Sequence, residues 1–341
     1  MIINKVLIIA EAGVNHNGDF DKAIQLIDVA ADAGADFVKF QTFKAKNLAS
    51  INAQKVVYQK ENTKSDGSQL EMLKRLEIPI DWYPKLLSRC KEKNINFLST
   101  GFDIESIDLL DNMGQKLFKI PSGEITHKTL LRKIAKKNKP VIISTGMASM
   151  VEIKEALDIF LKEGMSKEKI TILHCTTAYP CPLSEVNLHA MKAIQKELGL
   201  KVGYSDHTLG IEVSLAATAL GASVIEKHIT LDKTLPGPDH KASLEPKELF
   251  NLVKQIRSVT IAISGNGQKT PSSTELRNRK HIRKSLFYAS NYKKGKTLSE
   301  NDFLALRPEG ICSPMIIDDL IGKTLEQAVD IYQPVNRNHF L

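Results

Sequence analysis

The chain has 341 residues, 42% of them hydrophobic and 25% charged, with a formal net charge of +8. That length exceeds one small domain and leaves room for a β/α barrel of about 250 residues with a smaller unit beside it. The composition excludes a disordered or collagen-like chain, and no apolar run is long enough to span a bilayer.

The four cysteines, Cys90, Cys175, Cys181 and Cys312, show no CxxC or zinc-ribbon spacing. They are expected to be free thiols in a reducing cytoplasm. Met1-Ile-Ile-Asn-Lys runs straight into a strand pattern without a signal peptide's three regions. The basic runs Lys133–Lys139 and Arg277–Lys284 lack interleaved aromatics and match no nucleic-acid module. They read as solvated helix faces, and the positive balance as steering for an anionic substrate.

Taken in order, Val6–Ala10 is the continuous apolar run of a buried parallel strand, ending in the polar loop Glu11–Gly18. A helix is predicted over Asp21–Ala33 from the spacing of Ala23, Leu26, Ile27 and Ala30. Asp36–Gln41 is the second strand. Phe43–Pro79 is an oversized loop, expected to line or cover a site, with a local helix near Gln69–Leu76. Further strands are predicted at Asn96–Thr100, Leu117–Pro121, Val141–Thr145, Ile170–Cys175, Lys201–His207 and Ser223–His228. Helices are expected near Trp82–Lys93, Ile104–Met113, Leu130–Lys136, Val151–Glu163, Leu188–Leu198, Ile211–Leu220 and Pro246–Ala262. Alternation with right-handed crossovers gives a parallel sheet, and eight units permit a closed (β/α)8 TIM barrel. The doubly wound alternative lacks a GxGxxG after any strand.

Beyond residue 264 the chemistry changes. Residues 265–282 read as a linker that opens with the Gly/Pro/Ser-rich stretch Gly265–Ser273. Residues 283–341 read as a small β-containing domain, with strands at Ser285–Ala289 and Phe303–Leu306 and little room for a core of its own.

Polar residues crowd the C-terminal ends of the barrel strands, where barrel enzymes place their chemistry. They include Glu11, Lys39, Thr100, Lys119 with Ser122 and Glu124, Ser144, Tyr179, Ser205, His207 and His228. Two inward lysines beside several hydroxyls suit a small ligand carrying both phosphate and carboxylate. An equally concrete alternative pairs Lys39 and Lys119 with Glu11 and Glu124 as internal ion pairs. His207 and His228, on adjacent strand ends, could form half of a divalent-metal site or be two satisfied imidazoles. A metal there would polarise a carbonyl or activate water.

Ten segments, read together, resemble the bacterial sialic acid (N-acetylneuraminate) synthases, a group that includes legionaminic acid synthases. They are Glu11–Gly18, Lys39–Thr42, Phe97–Phe102, Lys119–Glu124, Ile143–Met147, Leu173–Thr176, Tyr179-Pro180, Gly203–Thr208, Glu226–His228 and Gly237–Pro246. The C-terminal part resembles the antifreeze-like (SAF) domain of these enzymes through Lys294-Gly295, Leu306–Pro308 and Ile321–Lys323. The resemblance implies a metal-dependent, aldol-type condensation of phosphoenolpyruvate with an N-acylated mannosamine-type sugar. The acceptor is expected to be N-acetylmannosamine, giving N-acetylneuraminate, with 2,4-diacetamido-2,4,6-trideoxymannose, giving N,N'-diacetyllegionaminate, as the alternative. It implies Mn2+ or Mg2+ on His207 and His228, and phosphoenolpyruvate on Lys39, Thr100, Lys119, Ser122, Ser144 and Ser205. Glu11 and Glu124 match positions at the reacting centre, where either could carry the proton transfer. Tyr179, Asp239 and, more loosely, Asn62 match sugar contacts. Arg307 matches an arginine supplied by the partner subunit, which implies a domain-swapped homodimer. A Schiff-base aldolase using Lys39 or Lys119, and a non-catalytic carbohydrate-binding protein, are the competing classes.

Overall fold

The computed structural model describes residues 5–63 and 67–340, and its contacts divide the chain into two compact units, Met1–Ser264 and Gly265–Leu341. In the first unit the elements run β1 (Leu7–Gly13), α1 (Phe20–Asp32), β2 (Phe37–Thr42), α2 (Ala45–Leu48), α3 (Val57–Thr63), α4 (Gln69–Leu76), α5 (Tyr83–Glu92) and β3 (Asn96–Gly101). They continue with α6 (Ile104–Asn112), β4 (Phe118–Ile120), α7 (Lys128–Ala135), β5 (Val141–Ser144), α8 (Met150–Lys162) and β6 (Ile170–His174). The unit closes with α9 (His189–Leu198), β7 (Lys201–Asp206), α10 (Glu212–Ala219), β8 (Val224–His228) and α11 (Pro246–Ala262).

All eight strands are parallel, in the order β3-β2-β1-β8-β7-β6-β5-β4. This is the expected α/β barrel, nearly closed, with a seam between β3 and β4. Across that seam the Gln115 side chain does the work of a strand neighbour. Its Oε1 accepts from Ser99 N at 2.8 Å and its Nε2 donates to Ser99 O at 3.0 Å. Both edge groups of β3 would otherwise be buried without partners.

The barrel interior is layered. Ile9, Leu98, Ile142, Leu173 and Val224 form an apolar plug towards the strand N-termini. Gly203 is part of this layer because a Cβ there would fall 2.3 Å from the Val224 carbonyl oxygen. Two residues further along, the inward positions turn polar on every barrel strand but β6, which presents Cys175. A second apolar layer, which includes Ile8, Leu26, Phe118, Phe160 and Leu252, lies between the strands and the surrounding helices. Period-two alternation sends one set of side chains to each layer.

The long loop after β2 is more ordered than its length suggests. It carries α2 and α3 as well as the expected Gln69–Leu76 helix, which starts in a Ser68/Glu71 capping box. Its apolar residues Phe43, Met72 and Leu76 cluster with Val14 over the barrel mouth.

The second unit corrects two expectations. Half of the predicted linker is helix α12 (Ser273–Ile282), whose start is fixed by a Ser272/Glu275 capping box. The unit also has a core of its own: Leu286, Tyr288, Phe303, Leu325, Val335 and Phe340 are buried together. β9 (Ser285–Tyr288) and β10 (Phe303–Leu306) pair antiparallel within it.

Candidate active site

A cavity of about 280 Å³ opens at the C-terminal ends of the barrel strands. Strand register brings its charged residues together: Glu11 pairs across to Lys39 on one side and to His228 on the other, and Ser205 to Glu226. Lys39 Nζ lies 2.7 Å from Glu11 Oε2 and 3.7 Å from Glu226 Oε2, and donates to Thr100 Oγ1 at 2.9 Å. Lys119 Nζ donates to Glu226 Oε1 at 2.9 Å, and Ser205 Oγ donates to the same oxygen at 3.0 Å. All six of these side chains are buried.

The ion-pair alternative is therefore half right. Lys39 does pair with Glu11, but Lys119 pairs with Glu226 and not with Glu124. Burial would raise Glu226, yet Lys119 and Lys39 outweigh it and hold the carboxyl at about 2. Burial would lower Lys39, and Glu11 and Glu226 outweigh it, so the amine stays protonated. Burial pushes Glu11 upward against the pull of Lys39. Two ammonium groups and two carboxylates face one another, and an incoming anion competes with Glu226 for Lys119.

Beside this cluster lies a ring of neutral groups. Ser122 Oγ accepts from Gly146 N at 2.9 Å and sits 3.3 Å from Cys175 Sγ. Gly146 must be glycine here, since a Cβ would fall 2.2 Å from Thr177 Oγ1 and 2.8 Å from Ser122 Oγ. Ser144 Oγ is buried on the cavity wall with no hydrogen-bond partner among the described residues. Such a hydroxyl is costly unless a ligand completes it.

His207 follows β7 and His228 ends β8, their ring centroids 5.4 Å apart. His207 Nδ1 donates to the Thr176 carbonyl at 2.7 Å, which leaves Nε2 as the free lone pair. Burial lowers His207 to about 4 and, with His207 beside it, carries His228 well below the ordinary value. His228 Nδ1 is buried without a hydrogen-bond partner among the described residues, 3.7 Å from Asp239 Oδ2. Two neutral imidazoles, one locked by a carbonyl and one with an orphaned nitrogen, fit a divalent ion. No group of three or more His, Cys, Asp or Glu forms a metal-ligand set among the described residues. Were such an ion bound, the described residues' share of its shell would be the two histidines.

Aromatic rings roof the histidines. The Tyr179 ring lies over His207 at 4.1 Å, tilted by 33°, and Tyr58, from α3, stacks on Tyr179 at 5.1 Å. Asp239 is buried on the wall, and burial, with Glu11 next, raises it to about 7. Its loop is clamped from two sides. Asn15 Nδ2 donates to Ser243 Oγ at 2.9 Å, Ser243 Oγ donates to Asp239 O at 2.7 Å, and Asn62 Nδ2 donates to Pro238 O at 2.8 Å.

Of the residues singled out from sequence, Glu11, Lys39, Thr100, Lys119, Ser122, Ser144, Tyr179, Ser205, His207, His228 and Asp239 line this one cavity. Three do not. Glu124 turns to His127, whose Nδ1 is 2.6 Å away, and lies outside the lining. Asn62 spends its amide on the Pro238 carbonyl and supports the wall from behind. Arg307 belongs to the second unit, exposed immediately after β10. Glu226 is the residue that sequence reasoning missed. Its signal was present, since on a strand it must share a face with His228 two positions on.

The model of the NeuB family matches residues 26–269. The N,N'-diacetyllegionaminic acid synthase of Campylobacter jejuni is 54% identical over 94% of this chain and 96% of its own length. The enzyme of the same name from Legionella pneumophila is 46% identical over 93% and 90%. Among solved structures, the N-acetylneuraminic acid synthetase of Leptospira borgpetersenii superposes with a TM-score of 0.72 at 36% identity, over 81% of this chain and 90% of that one. With the cavity's lysines, hydroxyls and histidines carried on the barrel segments that the family model spans, the chain belongs to the NeuB family.

Proposed function

We propose that the chain is a nonulosonic acid synthase that condenses phosphoenolpyruvate with 2,4-diacetamido-2,4,6-trideoxymannose, giving N,N'-diacetyllegionaminate and phosphate. The observation that carries this reading is the seat formed by Lys39, Lys119 and their hydroxyls directly beside the two neutral histidines. The 54% and 46% identities to enzymes named for this product favour the diacetamido sugar over N-acetylmannosamine. The likeness to an N-acetylneuraminic acid synthetase keeps N-acetylmannosamine as the second acceptor to be tested.

In the proposed reaction, Lys39, Lys119, Thr100, Ser122, Ser144 and Ser205 hold the phosphate and carboxylate and aim C3 of the enol at C1 of the open-chain aldose. A Mn2+ or Mg2+ ion held by His207 and His228 would polarise the aldehyde oxygen. The new bond joins C3 to C1, positive charge develops at C2, water adds there, and C–O cleavage releases phosphate. Lys39 and Lys119 stabilise the departing phosphate by charge and geometry without becoming nucleophiles. Of the two carboxylates expected at the reacting centre, Glu11 is favoured for managing the water or alkoxide proton, because it lies on the cavity wall and Glu124 does not. Tyr179 and Asp239 face the sugar side.

A Schiff-base aldolase would need a neutral lysine amine. Lys39 is held protonated by two carboxylates and Lys119 is paired with Glu226, so that class is disfavoured.

The C-terminal unit is read as an antifreeze-like (SAF) domain that works in a domain-swapped homodimer, lending Arg307 to the sugar's acyl group in the other copy's barrel. Exposed apolar side chains support this. Met147, Leu183 and Leu209 on the loops after β5, β6 and β7 are 74%, 71% and 57% exposed, and Ile311 and Met315 of the second unit are 69% and 89% exposed. Such side chains on both units suit a protein interface. A cytoplasmic location is part of the proposal, and the four free cysteines suit a reducing compartment. Among the described residues no helix is long and apolar enough to cross a membrane.

Phosphate release from phosphoenolpyruvate, followed with Mn2+ and each amino sugar side by side, tests the reading. Release only with the diacetamido sugar is expected. Release without any sugar, or with N-acetylmannosamine alone, would overturn the assignment.

A further inference from the structure

Asp206 and Lys227 stand directly opposite each other in the β7–β8 ladder, one residue before His207 and His228. Alternation turns both away from the cavity, into the layer beneath α10, where each side chain is 0% exposed. Asp206 Oδ2 lies 3.0 Å from Lys227 Nζ and accepts from Ser214 Oγ at 2.6 Å. Asp206 Oδ1 accepts from Thr208 N at 2.8 Å and from Thr208 Oγ1 at 2.7 Å. Lys227 Nζ closes the circuit by donating to the Thr208 carbonyl at 2.6 Å. His207 is therefore bracketed: both of its chain neighbours are tied to each other and to the residue preceding His228. None of the four network residues lines the cavity.

Stability alone does not account for this pair. Desolvating two charges offsets most of their attraction, and exchanging a buried ion pair for neutral residues of similar volume commonly leaves stability unchanged or raises it. What the ion pair adds is direction, because its short, oriented bonds fix the end of β7 against the end of β8.

We infer that the buried Asp206–Lys227 pair, with Thr208 and Ser214, is a positioning device that sets the separation and orientation of the His207 and His228 imidazoles and thereby tunes their affinity for a divalent ion. This rests on the proposed metal role of the two histidines.

The test uses the full-length protein and Mn2+ alone, with free Mn2+ counted by electron paramagnetic resonance and folding followed by thermal melting. The double variant Asp206→Asn/Lys227→Met removes both charges together and keeps an oxygen for Thr208 N. It is expected to melt close to the parent and to bind Mn2+ about 10- to 100-fold more weakly. Parent-level affinity in the folded double variant overturns the inference. Should that variant not fold, Thr208→Val and Ser214→Ala decide, each expected to weaken Mn2+ binding several-fold, and unchanged affinity in both overturns it. One further arm reports on the metal role itself. His207→Gln should abolish the site, and a parent that binds Mn2+ no better than this control would remove the metal reading and the inference with it.

Discussion

Exchanging Glu226 for glutamine keeps the side chain's shape and removes the charge that Lys119 meets at 2.9 Å and Lys39 at 3.7 Å. At an effective dielectric constant of about 20, those separations correspond to roughly 6 and 4 kcal/mol of gross attraction, much of it offset by desolvation. Lys39 would keep Glu11 at 2.7 Å, whereas Lys119 has no second carboxylate within ion-pair distance among the described residues. Leaving one buried charge uncompensated costs about 3–5 kcal/mol. For a unit of this size that lowers the melting temperature by about 10 °C. Phosphoenolpyruvate can take the missing partner's place, since either its phosphate or its carboxylate can face Lys119. Saturating phosphoenolpyruvate should therefore raise the variant's Tm more than the parent's and narrow the deficit. Calorimetric melts of Glu226→Gln and parent, with and without phosphoenolpyruvate, measure both quantities. A deficit of the same size in both conditions would refute the placement of Lys119 in the anion seat, and no deficit at all would refute the buried pair.

Three further outcomes are expected. Burial holds His16 at about 4 against an ordinary 6.5, with Asp19 pulling weakly the other way. The unfolded chain thus takes up a proton that the folded one refuses, and stability falls as pH drops from about 6.5 to 4, by up to about 3 kcal/mol from this group. Because Gly18 N donates to His16 Nδ1 at 3.0 Å, His16→Asn can keep that turn, and its Tm should fall less steeply with acid; parallel curves would contradict the assignment. Gln115→Leu strips both partners from the Ser99 backbone at the seam and should cost about 3 kcal/mol in a denaturant melt; an unchanged midpoint would mean the seam is closed by other means. Arg307→Ala should raise the KM for the sugar and spare the KM for phosphoenolpyruvate, and unchanged sugar kinetics would remove the swapped-domain proposal.

Much of this was legible in the sequence because it follows from short-range pattern. Continuous apolar runs such as Val141–Ile143, alternating with helical spacing, dictate a parallel barrel, and a barrel dictates where Lys39, Lys119 and His207 point. Pairings across the barrel were less legible. Lys119 and Glu226 are 107 positions apart, and only the closing of the sheet brings β4 and β8 around one interior. Glu124 stayed a candidate because its neighbour Ser122 does enter the cavity, while the short turn at Ser122–Glu124 rotates the carboxylate towards His127. Helix α12 is masked in the sequence by the Gly265–Ser273 stretch, which reads strongly as linker even though Ser272 and Glu275 carry a capping box.

The most direct measurement is 13C NMR of the full-length enzyme turning over phosphoenolpyruvate labelled at C3, with Mn2+ and 2,4-diacetamido-2,4,6-trideoxymannose. The label is expected to appear as the C3 methylene of a nine-carbon 2-keto acid, in step with phosphate release. Label recovered as pyruvate, or phosphate released with no new carbon–carbon bond, would contradict the assignment of this cavity to sugar-acid synthesis.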